Sequence, residues 1–247
     1  MTRLRLAYQR FTSCSGCQLT LLNCERQLPQ LAEVLELVDF AMASSARDDG
    51  SHLGLVLIEG SISTSQQLQE LLALRRRAAR LVAVGACALS GGVNALAGGG
   101  SEREELCAGI YGPPASARQT FPPQPIARFV AVDLDLPGCP PEVEDYLRLF
   151  GALLRGGLPW QPSWPVCMEC RQRENLCLLL EARQPCLGPV TQAGCAARCP
   201  SAGVLCEGCR GWVAEANRGE QFRLLLELGL SEGEIRARMG RFSGEEP

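Results

Sequence analysis

At 247 residues the chain can bury one good core and carry a small second domain. A formal net charge of −3 offers no basic face for nucleic acid or an anionic membrane. The opening MTRLRLAYQRF lacks both an apolar signal core and a twin-arginine pair, and no apolar run reaches membrane-spanning length. These features predict a cytoplasmic protein, whose thiols are reduced and available to bind metal.

LRLAY, Leu4 to Tyr8, is an apolar run of strand length that leads into the loop FTSCSGCQ. Leucines at helical spacing predict a helix over Gln18 to Leu37, followed by a second strand over Leu37 to Met42. LGLVLIEG, Leu53 to Gly60, reads as a third strand buried on both faces. SISTSQQLQELLALRRRAARL supplies Ser and Thr caps and a helix running to about Ala79. LVAVGACA, Leu81 to Ala88, is the fourth strand, ending in the small-residue stretch SGGVNALAGGG. Residues 101–126 are rich in Pro and Gly and yield no assignment. ARFVAVDLDL, Ala127 to Leu136, is the fifth strand and runs into PGCPP; Glu142 to Arg155 then reads as helix. Strand–helix alternation predicts an α/β fold, a flavodoxin-like doubly wound parallel sheet.

That topology makes the cysteines informative. Cys14 and Cys17 follow the first strand, Cys87 closes the fourth and Cys139 follows the fifth. All are carboxyl ends of strands, where the crevice loops of a parallel sheet converge on ligands. Four thiols at one edge make a cluster site, and Glu59 ends the third strand at the same edge. The bland alternative leaves Cys87 and Cys139 as small buried fillers.

Eight more of the fourteen cysteines lie between Cys167 and Cys209: Cys167, Cys170, Cys177, Cys186, Cys195, Cys199, Cys206 and Cys209. The array opens and closes on Cys-x-x-Cys turns, whose short loops let two sulfurs face one metal while backbone N–H groups stabilise their charge. Eight ligands make two sets of four, the number a cubane iron–sulfur cluster requires. Disulfides would need an oxidising compartment, zinc knuckles typically have a longer insert between two CxxC pairs, and inert buried thiols rarely crowd this densely. Spacing alone allows more than one partition of the eight.

Between the two regions, LPWQPSWP reads as an ordered linker whose tryptophans pack locally or anchor an interface. After Gly211, Trp212 to Leu228 is a helix candidate, and Ser231-x-x-Glu234 is a capping-box signature before a final helix. The expected organisation is a flavodoxin-like domain over 1–157, a small irregular ferredoxin-like iron–sulfur domain over 158–212, and a helical tail over 213–247. His52, the single histidine, reads as a solvated loop residue.

TSCSGCQL, LIEGSIST, VGACALSGG, PGCPP and the Cys167–Cys209 array together resemble the small subunit of a nickel–iron hydrogenase, across almost the full chain. CLGPVTQAGCAARCP is most similar to the delta subunit of cytoplasmic sulfhydrogenases, the NAD(P)-linked bidirectional enzymes. The resemblance implies three 4Fe–4S clusters in a line. It assigns Cys14, Cys17, Cys87 and Cys139 to a proximal cluster, nearest the nickel–iron centre of the large subunit. It assigns Cys167, Cys170, Cys177 and Cys186 to a distal cluster, and Cys195, Cys199, Cys206 and Cys209 to a medial one. For Glu59 it implies a proton relay near the proximal cluster, against the simpler reading of a carboxylate capping backbone amides.

Two departures sharpen the comparison. Membrane-bound uptake relatives place a histidine where Cys167 stands and a proline at one medial cysteine, so an all-cysteine distal site is expected here. The related respiratory complex I subunit has adjacent proximal cysteines, whereas Ser15 and Gly16 separate them here. Cys24, expected on the first helix, and Cys107 are needed for no cluster; Cys→Ala at either is expected to leave iron content unchanged.

The implied function is electron conduction between a large subunit and a diaphorase subunit carrying flavin and NAD(P), with a further iron–sulfur subunit as partner. The chain lacks the paired terminal CxxC motifs of a nickel-binding subunit and any GxGxxG nucleotide fingerprint. Low positive charge near the array is expected to favour low potentials. The alternatives are the small subunit of a heterodisulfide-reductase-linked hydrogenase, a stand-alone iron–sulfur carrier and a zinc-binding structural protein.

Overall fold

Among the described residues, the strands of the first part of the chain are β1 (Leu4–Arg10), β2 (Leu35–Asp39), β3 (Leu55–Glu59), β4 (Ile62–Thr64), β5 (Leu81–Val84), β6 (Thr120–Gln124) and β7 (Leu134–Leu136). This computed structural model describes residues 3–97, 101–112 and 120–243. Five strands pair in the order β2-β1-β3-β5-β7, and every pair is parallel. Numbered among themselves, they run 2-1-3-4-5, the flavodoxin order, so the predicted doubly wound sheet is present. Every residue of β3 and of β5 is buried, as an interior parallel strand covered by helices on both faces requires.

The chain divides into two compact units, Met1–Leu136 and Pro137–Pro247. The first holds the sheet with α1 (Gly16–Leu22), α2 (Leu28–Val34), α3 (Ser65–Arg77), α4 (Gly85–Ser90) and α5 (Ser101–Tyr111). Several of its boundaries differ from those expected. The single helix over Gln18 to Leu37 is two, broken over 23–27; Pro29 sits in the first turn of α2, where its missing N–H costs nothing. Cys24 therefore falls in the turn after α1 and not on a helix, and it is buried. The second strand begins at Leu35, two residues early, because Leu35 and Val38 are the side chains its register buries.

The fourth strand stops at Val84: Gly85, at φ 79, turns the chain into α4, so Cys87 lies on that helix and not at the end of a strand. The fifth strand shrinks to Leu134–Leu136. Phe129, Val130 and Val132 spend their apolar character packing against the core from a loop, without joining the ladder. Thr64 does cap α3, its hydroxyl accepting from Gln67 N–H at 3.2 Å. The unassigned 101–126 region contains α5 and β6, the latter pairing antiparallel with β4. Residues 98–100 of the small-residue stretch and 113–119 lie outside the described residues.

The second unit contains α6 (Val143–Leu154), α7 (Val166–Gln172), α8 (Arg198–Ser201), α9 (Arg218–Glu227) and α10 (Glu232–Gly240). Helix α6 spans the residues expected, with a capping box between Glu142 and Asp145. The helix expected from Trp212 starts only at α9, where the Asn217 side chain caps it. The Ser231–Glu234 capping box opens α10 as predicted. Val166, Leu178, Leu179 and Ala197 form one small core with Cys186 and Cys206. Leu187 and Val190 form another with Leu225, Ile235 and Met239 from α9 and α10. In the linker the Trp160 and Trp164 rings lie 5.1 Å apart, with Trp160 58% exposed. No helix among the described residues is long and apolar enough to cross a membrane.

Candidate functional site

Because β1, β3, β5 and β7 run parallel, their carboxyl ends lie on one edge of the sheet. Glu59 ends β3 there, Cys14 and Cys17 follow β1, and Cys87 follows β5, whereas Cys139 belongs to the second unit, beside Cys209. The loop after β1 folds back so that Thr12 bridges Ser61. Ser15 then enters α1 at φ 67, its hydroxyl accepting from Arg10 at 2.8 Å. Asn94 donates to the Thr12 carbonyl at 2.9 Å and to the Cys87 sulfur at 3.5 Å, tying the Cys87 helix to the Cys14 loop. Gly92 lets that turn close, since a Cβ there would meet Cys87 N at 2.9 Å and its Sγ at 3.0 Å.

Glu59 is buried. Its Oε2 accepts from Gln18 N–H at 3.0 Å, one residue from Cys17, while Oε1 has no partner among the described residues. Burial pushes its carboxyl above the usual range; the Gln18 N–H, the Ser13 hydroxyl and the Cys17 N–H act in the opposite sense.

In the second unit, Cys167 and Cys170 sit on α7 and, with Cys177 and Cys186, line a cavity of about 770 Å³. Its remaining wall is largely apolar, including Leu178, Leu179, Pro189 and Leu224. Gly188 keeps the space open: a Cβ there would lie 3.2 Å from the Cys167 sulfur and 3.6 Å from that of Cys186. N–H groups point at the sulfurs, from Cys206 to Cys186 at 3.4 Å, Leu180 to Cys177 at 3.5 Å and Asn175 to Cys170 at 3.7 Å. Burial, followed by the neighbouring sulfurs of Cys186, Cys170 and Cys177, pushes the Cys167 thiol up to about 12. A metal entering such a site displaces the thiol protons.

Burial also pushes Cys209 up to about 11, and its electrostatic neighbours are Cys195, Cys139 and Cys199. Cys206 is raised by burial and borders both groups, with Cys186 and Cys209 as neighbours. Among the described residues, no three His, Cys, Asp or Glu side chains converge on a single-ion position. A thiol-ringed, largely apolar cavity with sulfur-directed N–H groups fits a polynuclear iron–sulfur cluster.

Three functional features escaped the sequence reading. Glu169, in the first Cys-x-x-Cys turn, accepts from Gly194 N–H at 2.8 Å and from Ala197 N–H at 3.1 Å, holding the loop that carries Cys195. Asn94 orients Cys87. Arg210, directly after Cys209, is a buried cation within electrostatic reach of Cys195 and Cys209, so the array is not poor in positive charge as expected. Their types were visible, but nothing local in the sequence pairs them. Cys107 lies on α5, half-buried, and His52 is exposed in its loop.

Residues 14–153 match the family described as NADH ubiquinone oxidoreductase, 20 Kd subunit. The sulfhydrogenase 2 delta subunit of Pyrococcus furiosus is 35% identical over 240 residues, covering 97% of this chain and 99% of that protein. One chain of the vhu F420-non-reducing hydrogenase of Methanocaldococcus jannaschii is 30% identical over 262 residues, covering 95% of this chain and 88% of that protein. A chain of an NAD+-reducing [NiFe]-hydrogenase, solved in its H2-reduced state, superimposes with a TM-score of 0.56 at 28% identity, covering 65% of this chain and 96% of that one. The chain belongs to the NADH ubiquinone oxidoreductase 20 kDa subunit family, among the small and delta subunits of nickel–iron hydrogenases.

Proposed function

We propose that this chain is the electron-conducting small subunit of a cytoplasmic nickel–iron hydrogenase that exchanges electrons with NAD(P). The observation that carries the reading is the ring of Cys167, Cys170, Cys177 and Cys186 around one largely apolar cavity, fed by N–H groups. These four would hold the distal 4Fe–4S cluster; Cys195, Cys199, Cys206 and Cys209 the medial one; Cys14, Cys17, Cys87 and Cys139 the proximal one. When bound, the clusters supply one-electron conduction between the nickel–iron centre of a large subunit and a diaphorase module with flavin and a further iron–sulfur subunit. The chain's own residues position the sulfurs, exclude water through Leu178, Leu179 and Leu224, and donate hydrogen bonds to the thiolates. Glu59 is proposed to carry a proton on Oε1, the oxygen left unpartnered at the sheet edge.

Similarity to the sulfhydrogenase delta subunit and to the NAD+-reducing structure supports the NAD(P)-linked assignment. The 30% identity to a chain of an F420-non-reducing hydrogenase supports a second reading, in which the acceptor is not a nicotinamide and the partner is a heterodisulfide-reductase-type module. Purification through a tag on this chain, followed by hydrogen-dependent reduction of NAD+, NADP+ and an artificial dye, separates them. The first reading expects a nickel-containing companion and reduction of at least one nucleotide. Dye reduction without nucleotide reduction would overturn it in favour of the second.

A further inference from the structure

Arg210 is 4% exposed and is fastened on three sides. Its Nε donates to the Ala193 carbonyl at 2.9 Å, and its two terminal nitrogens donate to Asp145, at 2.7 Å to Oδ2 and 3.3 Å to Oδ1. The guanidinium packs against Gly194, at φ +120, where a Cβ would sit 2.5 Å from a terminal nitrogen. It is thus fixed between the backbone preceding Cys195 and its own position after Cys209.

Asp145 does not simply cancel that charge. The same carboxylate, itself buried, also takes a hydrogen bond from Arg148 and one from Glu142 N–H at 2.9 Å. Two guanidiniums share one carboxylate, and the Glu142 carboxylate, paired with Arg198, also lies within electrostatic reach of Arg210. Arg148 is 38% exposed at its side chain and is screened by water, whereas Arg210 is not. An arginine guanidinium is always protonated in a folded protein, so the charge of Arg210 is fixed. Cys195 also feels the opposite charge of the Glu169 carboxylate, which holds the Ala197 N–H.

A brace between Ala193 and α6 needs no ion pair, since apolar side chains of similar volume do as well or better in a buried position. A fixed cation beside cysteine ligands has a further effect, because reduction adds an electron and nearby positive charge stabilises the reduced form. We propose that Arg210, positioned by Asp145, raises the reduction potential of the cluster held by Cys195, Cys199, Cys206 and Cys209. This rests on the reading, given above, that these four cysteines hold a 4Fe–4S cluster.

The test is an EPR-monitored redox titration of the intact hydrogenase complex, with iron and sulfide counted on the same samples. Arg210→Met should lower the midpoint potential of this cluster, and Arg210→Lys should recover most of the loss. Asp145→Asn, which keeps an acceptor for Arg210 but removes the opposing charge, should shift the potential upward. The other clusters should move little. A purely structural role would not give shifts of opposite sign. Full cluster content with no shift, or with both charge-removing variants shifted the same way, overturns the inference and leaves the functional reading intact. A wild-type complex with about eight irons per chain and no signal from this site overturns both.

Discussion

Glu169 and Gly194 are 25 residues apart, yet Glu169 Oε1 accepts the Gly194 N–H at 2.8 Å. The second oxygen takes Ala197 N–H, so one carboxylate spans a turn in which Ala196 and Ala197 both have positive φ, 53° and 49°. Left-handed backbone at two alanines in a row is unfavourable and persists only when neighbours enforce it. Helix α7, which carries Cys167 and Cys170, therefore also shapes the loop that presents Cys195. Glu169→Ala should destabilise the second unit by about 2–3 kcal/mol, and Glu169→Gln by less. Denaturant unfolding checks the order; an Ala variant as stable as wild type would refute this role.

Gly188 bears on cavity volume alone, since its backbone is not at positive φ. Gly188→Ala should leave the fold intact, because the tightest contact of the added methyl is the Cys167 sulfur at 3.2 Å, while its distances to Cys186 and Cys206 are ordinary ones. Iron content should fall from about twelve towards about eight per chain. Unchanged iron would mean that no cluster occupies the cavity lined by these cysteines.

Glu59 keeps Oε2 on the Gln18 N–H and leaves Oε1 unpartnered. Glu59→Gln preserves the accepting oxygen and removes the exchangeable carboxyl proton. Hydrogen turnover should fall by about a hundredfold or more, the range for a removed acid–base group, with iron content unaltered. Unaltered turnover with intact clusters ends the proton-relay assignment.

The loop before β3 supplies a pH dependence. Hydrogen bonding to the Arg77 guanidinium holds the Asp48 carboxyl below its ordinary 3.8, helped by the Gly50 N–H. A depressed carboxylate stabilises the fold fully above its unfolded pKa, and that contribution is lost as pH falls through the lower folded value. Asp48→Asn should cost about 1 kcal/mol or less at neutral pH, given partial exposure. It should also flatten the decline in melting temperature below about pH 4. An identical acid limb in the variant would argue against it.

The sheet was legible because interior parallel strands are unbroken apolar runs: LVLIE and LVAV could hardly be anything else. Where apolar residues serve a different purpose the pattern misled. Phe129 to Val132 pack on the core from a loop, and a single φ of 79° at Gly85 moved Cys87 from strand to helix. The twelve proposed ligands could be listed from spacing and resemblance, since cysteine has few other reasons to cluster. Glu169, Arg210 and Asp145 could not. Their roles come from pairings across 25 and 65 residues, which leave no periodic trace along the chain.

The most direct test of the account is iron, acid-labile sulfide, zinc and nickel content of the complex purified through a tag on this chain. About twelve irons per chain, matched by sulfide and with nickel in a companion subunit, is the predicted result. About eight irons would overturn the proposal that Cys14, Cys17, Cys87 and Cys139 hold a cluster. Zinc without sulfide would contradict electron conduction altogether.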